Sequence, residues 1–585
     1  MLRGKKDSCE TVSIVIAGSG GTGAVTAGQL LLEAAGRAGW YGIMARTAGP
    51  QIRGGESAAL VRLGESEVEA LDDAFDIFIA FDWENVDRFA AEIPLKADTL
   101  VLADPAMGEP PSMIGQAGAK VTPVPFGEIA KGIPNGRANT IALGILSDLL
   151  GIPVQHLTAA MAEKLGSKGG AAIVAGEAGI LEGQKLAAGM DCERHTSSTG
   201  GEAQLTPPWN VSGNELSGLG ALKGGIRFSA AYPITPATEI LEWLAPRLEK
   251  LGGALVQAED ELASINMILG SSFGGKPSIT ATSGPGLALM TESLGLGVAA
   301  ELPIVIANVM RGGPSTGIPT KSEQSDLEIA LYGLHGDAPH LVTAAHSVSD
   351  CLGTMQWSVH LAEKLQCPVI VLTDQFLGQT RAVIPAPADL PFTAERKLAS
   401  AEDRADGYNR YAVTEDGISP MSLPGMPDGE YVADGLEHNS HGTPSTKADD
   451  HQVQLAKRLR KLDGFDPGDF WAETTGEGPI AILTWGSATG ACREAQNRFG
   501  ADRCRLISPR LLSPAQPDRM AALLAGVERV LVVEQTHSGQ FHRYLRAHYE
   551  LPVIVDLLNQ PGPLPIRPGE VLARLTTLDN LKEAS

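Results

Sequence analysis

Short apolar runs bounded by glycine, proline or polar turns alternate along the chain with longer stretches whose apolar positions fall three and four apart. The first kind of run fits a buried strand and the second the inner face of a helix. Residues 12–16, 41–45, 58–63, 77–81 and 99–103 read as strands of a first open α/β sheet. Residues 255–257, 278–282, 303–309 and 368–373 read as strands buried on both faces, as in a doubly wound parallel sheet. A third set, 480–485, 504–508, 530–534 and 553–555, predicts a closing α/β domain. Ile240, Leu241, Leu244 and Leu248 mark one face of a helix running from about Thr238. Ahead of that helix, Tyr232-Pro233-Ile234-Thr235-Pro236 is a stiff turn. Each proline fixes its own φ and pushes its predecessor toward extended geometry, which places Thr235 just before Pro236 at the helix entrance.

Two stretches break the alternation. Residues 188–209 are small and polar and read as a linker, because they lack the apolar surface to offset the entropy of ordering. Residues 391–475 are rich in Asp, Glu, Gly, Ser and Pro, with one clear helix near 453–462, and read as a long excursion. The expected organisation is a Rossmann-type domain over 1–187, the linker, an α/β domain over 210–390, the excursion, and a last domain over 476–585. The fold class is therefore α/β with three doubly wound domains.

Composition changes this picture little. At 585 residues the chain exceeds a single core, and 43% hydrophobic with 20% charged residues is ordinary for a globular protein. A formal net charge of -23 argues against nucleic acid or an anionic membrane surface as partner. The apolar run at 12–17 ends in glycines too soon for a signal peptide, and no run reaches the length of a membrane span, so a cytoplasmic protein is expected. The 6 cysteines have no cluster spacing, so this chain is expected to hold neither zinc nor an iron–sulfur cluster. Electrons released by a reaction here would leave through another chain.

Chemistry concentrates at two places. Gly18-Ser19-Gly20-Gly21-Thr22-Gly23 lies between the first strand and a helix carrying Leu30, Leu31 and Leu32, the context in which backbone N–H groups cradle a phosphate. Arg46 stands where a nicotinamide site would place an acid, which counts against NAD and suits a phosphorylated ribose. The second place is the carboxyl edge of the central sheet, where Glu261, Ser283, Arg311 and Asp374 are expected to emerge.

Four motifs in register carry a resemblance: Tyr232-Pro233-Ile234-Thr235-Pro236, Glu259-Asp260-Glu261-Leu262-Ala263, Ala281-Thr282-Ser283-Gly284-Pro285-Gly286, and Arg311 through Thr320. Together they resemble the alpha subunit of thiamine diphosphate-dependent 2-oxoacid:ferredoxin oxidoreductases, and the first domain resembles the family's gamma subunit. The resemblance implies a fused gamma-alpha chain, most like the 2-oxoglutarate enzymes, with a pyrimidine-binding central domain and a transketolase-like last domain. It also implies that the Gly18 loop, with Gly20 and Gly23, lies near coenzyme A; CoA phosphate, a nucleotide and no ligand all remain open for that loop.

Decarboxylating a 2-oxoacid needs an electron sink, which the thiazolium of thiamine diphosphate supplies. By resemblance, the carboxylate facing the aminopyrimidine is Glu261, with Glu259 the alternative and a merely acidic helix start the bland reading. Ser283 is placed at the same cofactor. Arg311 matches the position that grips the substrate carboxylate, for which a planar guanidinium fork is suited, together with Thr235 and Thr320. Lys321 would add charge for a distal carboxylate, and His335 fits a further motif beside the site. No Gly-Asp-Gly stretch for a magnesium diphosphate is present. The resemblance therefore assigns Mg2+, the diphosphate and a 4Fe-4S cluster to a beta subunit, in an (alpha-beta)2 assembly that reduces ferredoxin.

Overall fold

The computed structural model describes residues 11–49, 55–84, 86–166, 169–196, 208–405 and 407–580. The Gln51-Ile52-Arg53-Gly54 stretch and residues 197–207 of the expected linker lie outside them. The strands run β1 Thr11–Ser19, β2 Tyr41–Ala48, β3 Glu56–Gly64, β4 Phe75–Ala80, β5 Leu95–Ala103, β6 Lys120–Pro123 and β7 Trp209–Ser212. They continue β8 Phe228–Ala231, β9 Ala254–Gln257, β10 Ser278–Thr282, β11 Val305–Met310, β12 Leu341–Ala344, β13 Val369–Asp374 and β14 Arg381–Ile384. The last are β15 Ala472–Thr475, β16 Ile480–Leu483, β17 Cys504–Pro509, β18 Leu511–Ser513, β19 Arg529–Glu534 and β20 Ile554–Asn559.

The chain divides into two compact units, one of residues 1–212, 379–388 and 567–569, the other of the remainder. The first contains an 8-stranded sheet in the order β6-β5-β4-β1-β3-β2-β14-β7. From β6 to β1 the neighbours are parallel; from β1 to β7 they are antiparallel. The parallel half is the expected α/β arrangement, and the antiparallel half extends it. The hairpin partner β3 sits between β1 and β2, so β2 is not the strand beside β1 that holds a ribose in a dinucleotide fold. Arg46 is also interior to β2, opposite Ala59, and does not follow the strand's end. Residues 381–384 and all of 209–212 but Trp209 are expected in the second domain; instead β7 pairs with β14 and β14 with β2 at the edge of this first sheet.

The second unit carries a 7-stranded sheet, β18-β12-β13-β11-β10-β8-β9, and a 5-stranded sheet, β15-β17-β16-β19-β20. In the first of these every pairing is parallel except that of β18, which the closing domain lends to its edge. One apolar cluster runs through both sheets and takes in Leu244, Ile306, Val371, Trp471, Trp485 and Phe541. Residues 391–475 carry one long helix, as expected, and pack against the core of the second unit. Arg410, Tyr411, Met421 and Lys457 are buried, with Met421 inside that cluster and Lys457 on the helix Ala448–Asp463. Among the described residues no helix is long and apolar enough to cross a membrane.

Candidate functional site

In the central sheet the chain steps from β8 outward to β9, then returns to lay β10 on the other side of β8 and β11 beyond it. The direction of winding thus reverses between β8 and β10, and side chains leaving the carboxyl ends of these strands converge on the crevice so formed. Thr235 follows β8, Ser283 follows β10, Arg311 follows β11, and Glu261 opens the helix Glu261–Phe273 after β9.

The acidic run at 259–261 separates into distinct roles. Glu259 is exposed. Asp260 is the N-cap, its Oδ1 accepting from Ala263 N at 2.7 Å. Glu261 is buried, 7% exposed, and its carboxylate takes no hydrogen bond from the described residues of this chain. It lies against Gly286 on the first turn of the helix Gly284–Ala299. A Cβ on Gly286 would come within 2.6 Å of Glu261 Cγ and 2.9 Å of its Oε1, so glycine is what lets the carboxylate approach that helix end. Gly284 does the same for a second carboxylate, because a Cβ there would stand 2.6 Å from Oδ1 and 2.7 Å from Oδ2 of Asp326. Two acids therefore flank the positive end of one helix dipole. Ser283 is its N-cap in extended conformation, with a fully buried Oγ that has no partner.

Arg311 is 7% exposed. Its Nη1 donates to Thr235 O at 2.6 Å, while its Nε is buried without a partner. Burial lowers its pKa, opposed by the charge of Asp326. The turn at Thr235 and the cation are thus joined directly. The helix expected from that turn begins at Thr238, and Pro236 precedes it through a cis peptide bond. Beyond Arg311 the chain folds back on itself: Ile318 N donates to Gly312 O at 2.8 Å and Gly312 N to Lys321 O at 3.0 Å, which sets Thr320 and Lys321 beside the base of the loop. Glu323 Oε2 accepts from Gly313 N at 3.1 Å, and Gln324 Nε2 donates to Trp485 O at 2.8 Å, pinning the loop to the closing domain.

His335 is not brought into this group. It is exposed and faces Gly295, about 16 Å along the helix from Gly284 at 1.5 Å per residue. Asp374 ends β13 as expected, but its Oδ1 caps the following turn by accepting from Leu377 N at 2.9 Å. Asp326 and its partner Asn308 were missed by sequence reasoning: Ser325-Asp326 reads as an ordinary polar loop, and only folding puts it at the glycine end of a distant helix.

In the first unit, a cleft of about 550 Å3 opens at the start of the helix Ala24–Arg37, lined among others by Ser19, Gly21, Gly23, Ser57, Arg137 and Asn139. Gly23 is the left-handed N-cap, φ 89°, and a side chain there would collide with Asn139. Asp82, just past β4, fixes the loop: Oδ2 accepts from Ser19 N at 2.7 Å and Oδ1 from Ser19 Oγ at 3.0 Å. An acid is thus present at the end of the parallel neighbour of β1, although it holds the loop itself. Gly20 N donates to Gly55 O at 2.8 Å. Gly18 packs on Thr22 and Phe81.

Residues 219–457 match the family model described as "Pyruvate flavodoxin/ferredoxin oxidoreductase, thiamine diP-bdg", and residues 13–181 match "Pyruvate ferredoxin/flavodoxin oxidoreductase". A 2-oxoglutarate:ferredoxin oxidoreductase from Magnetococcus marinus, solved with 2-oxoglutarate, coenzyme A and succinyl-CoA bound, has 36% sequence identity and a TM-score of 0.89 over 97% of this chain and 100% of that one. The 2-oxoglutarate synthase subunit KorA of Methanothermobacter thermautotrophicus is 33% identical over 63% of this chain and 98% of its own length. Subunit alpha of 2-oxoacid:ferredoxin oxidoreductase 2 from Aeropyrum pernix is 29% identical over 92% of this chain and 93% of its own. The donor set fits a thiamine-binding domain, since the unpartnered Glu261 carboxylate and the orphaned Ser283 Oγ stand together at one helix end beside a buried arginine. With these relatives across nearly its whole length, the chain belongs to the 2-oxoacid:ferredoxin oxidoreductase family, as an alpha subunit.

Proposed function

We propose that this chain is the fused gamma-alpha subunit of a 2-oxoglutarate:ferredoxin oxidoreductase. With its partner it converts 2-oxoglutarate, CoA and oxidised ferredoxin to succinyl-CoA, carbon dioxide and reduced ferredoxin. Thiamine diphosphate, when bound, supplies the electron sink that decarboxylation of a 2-oxoacid requires. Glu261 and Ser283 would hold its aminopyrimidine, Glu261 through a hydrogen bond at its carboxylate. Arg311 orients the C1 carboxylate of the substrate through its guanidinium, steadied by the Thr235 carbonyl. Thr320 and Lys321 stand at the loop base, where Lys321 serves a distal carboxylate. The diphosphate with Mg2+ and the 4Fe-4S cluster belong to a beta subunit, in an (alpha-beta)2 assembly.

The observation that carries this reading is the pairing of an unpartnered buried carboxylate with a buried arginine on one sheet edge. The test is assay of the complex co-purified with its neighbouring chains, using several 2-oxoacids, CoA and a one-electron acceptor. Turnover with 2-oxoglutarate above the rest is expected; preference for pyruvate would overturn the substrate assignment.

The Gly18 loop cleft is assigned to a phosphate of CoA. Backbone N–H groups at the start of Ala24–Arg37 favour an anion, and the exposed Arg137 on the cleft wall adds a cation. Arg137→Ala is expected to raise the KM for CoA about tenfold, the loss of about 1.4 kcal/mol of charge-assisted hydrogen bonding, with the KM for the 2-oxoacid unchanged. Equal effects on both constants would remove CoA from this cleft.

A further inference from the structure

We propose that the closing domain is a mould for the substrate loop: the crevice at its winding reversal is filled by Gln324, and Gln324 with Glu323 thereby sets the position from which Arg311 binds the 2-oxoacid. Both are positioning residues, acting through Arg311. This rests on the reading that Arg311 binds the substrate carboxylate.

The 5-stranded sheet lays β17 on one side of β16 and β19 on the other, all three parallel. Its winding therefore reverses at β16, and the crevice beyond the carboxyl ends of β16 and β19 is where such a sheet ordinarily takes a ligand. Here the fully buried Gln324 goes in. Its Nε2 donates to Trp485 O at 2.8 Å, in the loop after β16. Its Oε1 accepts from Gln535 N at 2.7 Å, and its backbone N donates to Gln535 O at 2.9 Å, in the loop after β19. Gly486 makes the room: its φ is 61°, and a Cβ there would stand 2.5 Å from Gln324 Nε2. The Gln324 side chain thus makes with both strand-end loops the kind of bonds a bound ligand makes.

Glu323 carries the contact back to the loop. Its Oε2 accepts from Gly313 N and from Ser325 Oγ, each at 3.1 Å, while its Oε1 accepts from Gly562 N at 3.2 Å, in the segment after β20. Three donors converge on a buried carboxylate. An amide could answer only one side of that arrangement, because its NH2 would meet an N–H on the other. Gly312 and Gly313 immediately follow Arg311, and both are bonded to the returning arm of the loop, through Lys321 O and Glu323. The tip from Gly313 to Ile318 is exposed, so the backbone on the carboxyl side of Arg311 takes its position from the returning arm, and that arm takes it from the closing domain. Release of Gln324 or Glu323 leaves Arg311 its bond to Thr235 O but loosens the backbone that carries it. A displaced guanidinium still attracts an anion, yet its fork no longer meets both carboxylate oxygens squarely.

The test is steady-state kinetics of the assembled complex, with the preferred 2-oxoacid and CoA varied in turn. Gln324→Ala is expected to raise the KM for the 2-oxoacid about tenfold, and the milder Glu323→Gln about threefold, with kcat within about twofold and the KM for CoA unchanged. A merely structural role gives a different result, because loss of folded complex lowers the maximal rate and leaves KM as it was. A cycle with Gly486→Ala probes the crevice itself. Its new methyl group meets Gln324 Nε2, so alone it raises the same KM, and in the Gln324→Ala background it adds nothing. A wild-type KM for the 2-oxoacid in either Gln324→Ala or Glu323→Gln overturns the proposal, as does a Gly486→Ala effect that adds in full to that of Gln324→Ala. Arg311→Ala with an unchanged KM for the 2-oxoacid overturns instead the reading on which the proposal rests, so the two failures are told apart.

Discussion

Glu261→Gln is expected to lower 2-oxoacid-dependent acceptor reduction by the assembled complex about 10²–10⁴-fold, the span a positioned acid–base group contributes. The amide has the size of the carboxyl group and meets the same Gly286, so packing at the start of Gly284–Ala299 is preserved. What it cannot do is hold and release a proton. Nothing in the described part of this chain competes for the carboxylate, which leaves Glu261 available to a group the chain does not itself provide. Association with the partner chain and the unfolding midpoint should therefore stay near wild type while turnover collapses. Glu259→Gln is the control: Glu259 is exposed and should cost little. Comparable losses in both variants would point to the net charge of the acidic run and not to a positioned acid. Full activity in Glu261→Gln would remove this residue from the chemistry.

Much of this edge was legible beforehand because its residues sit in stiff local sequence. Thr235 lies between prolines, Ser283 precedes Gly-Pro-Gly, and Arg311 precedes Gly-Gly-Pro, so each is fixed within a few residues by backbone chemistry that the sequence displays. Asp326 has no such marker. Its role comes from the glycine at position 284, 42 residues earlier in the chain, and a contact at that separation leaves no local pattern. The strands show the same divide. Apolar runs such as those of β11 and β13 declared themselves, whereas Phe228–Ala231 is too short and too rich in small residues to register as a strand. The insertion of β3 between β1 and β2, and the pairing of β7 with β14, follow from long-range pairing alone.

The segment 391–475 misled for a different reason. Its helix Ala448–Asp463 buries Gln454, Lys457, Arg458 and Lys461 beside Leu462, while Val453 and Leu459 are 44% and 48% exposed, so charge lies on its inner face. Charge at that spacing is ordinarily a solvated face. Here Arg458 is drawn inward by Glu437, and Lys457 and Lys461 by an acid at the end of another helix.

That acid is Glu301, fully buried, with Lys457 Nζ at 2.5 Å from Oε1 and Lys461 Nζ at 3.0 Å from Oε2; Arg410 donates to its backbone carbonyl at 2.8 Å. Burial disfavours its ionised form, but Lys461, Lys457 and Arg410 outweigh that and hold the carboxyl below its ordinary range. Glu301→Gln leaves three buried cations without a counterion and is expected to destabilise the second unit by about 3–5 kcal/mol, the usual cost of removing one member of a buried pair. The pH dependence separates this from a packing defect. Burial already lowers Lys457 from 10.5 to about 8 against the pull of Glu301, so the folded state sheds this proton more readily than the unfolded chain. Where the unfolded chain binds more protons, stability rises with pH. The deficit of Glu301→Gln should therefore be largest on the acid side and close as pH rises past about 8, where Lys457 is losing its proton in the wild type as well. Unfolding midpoints of variant and wild type, compared at pH 7 and pH 9, provide the measurement. A gap that stays constant or widens toward alkaline pH would show that Glu301 contributes through shape and not through charge.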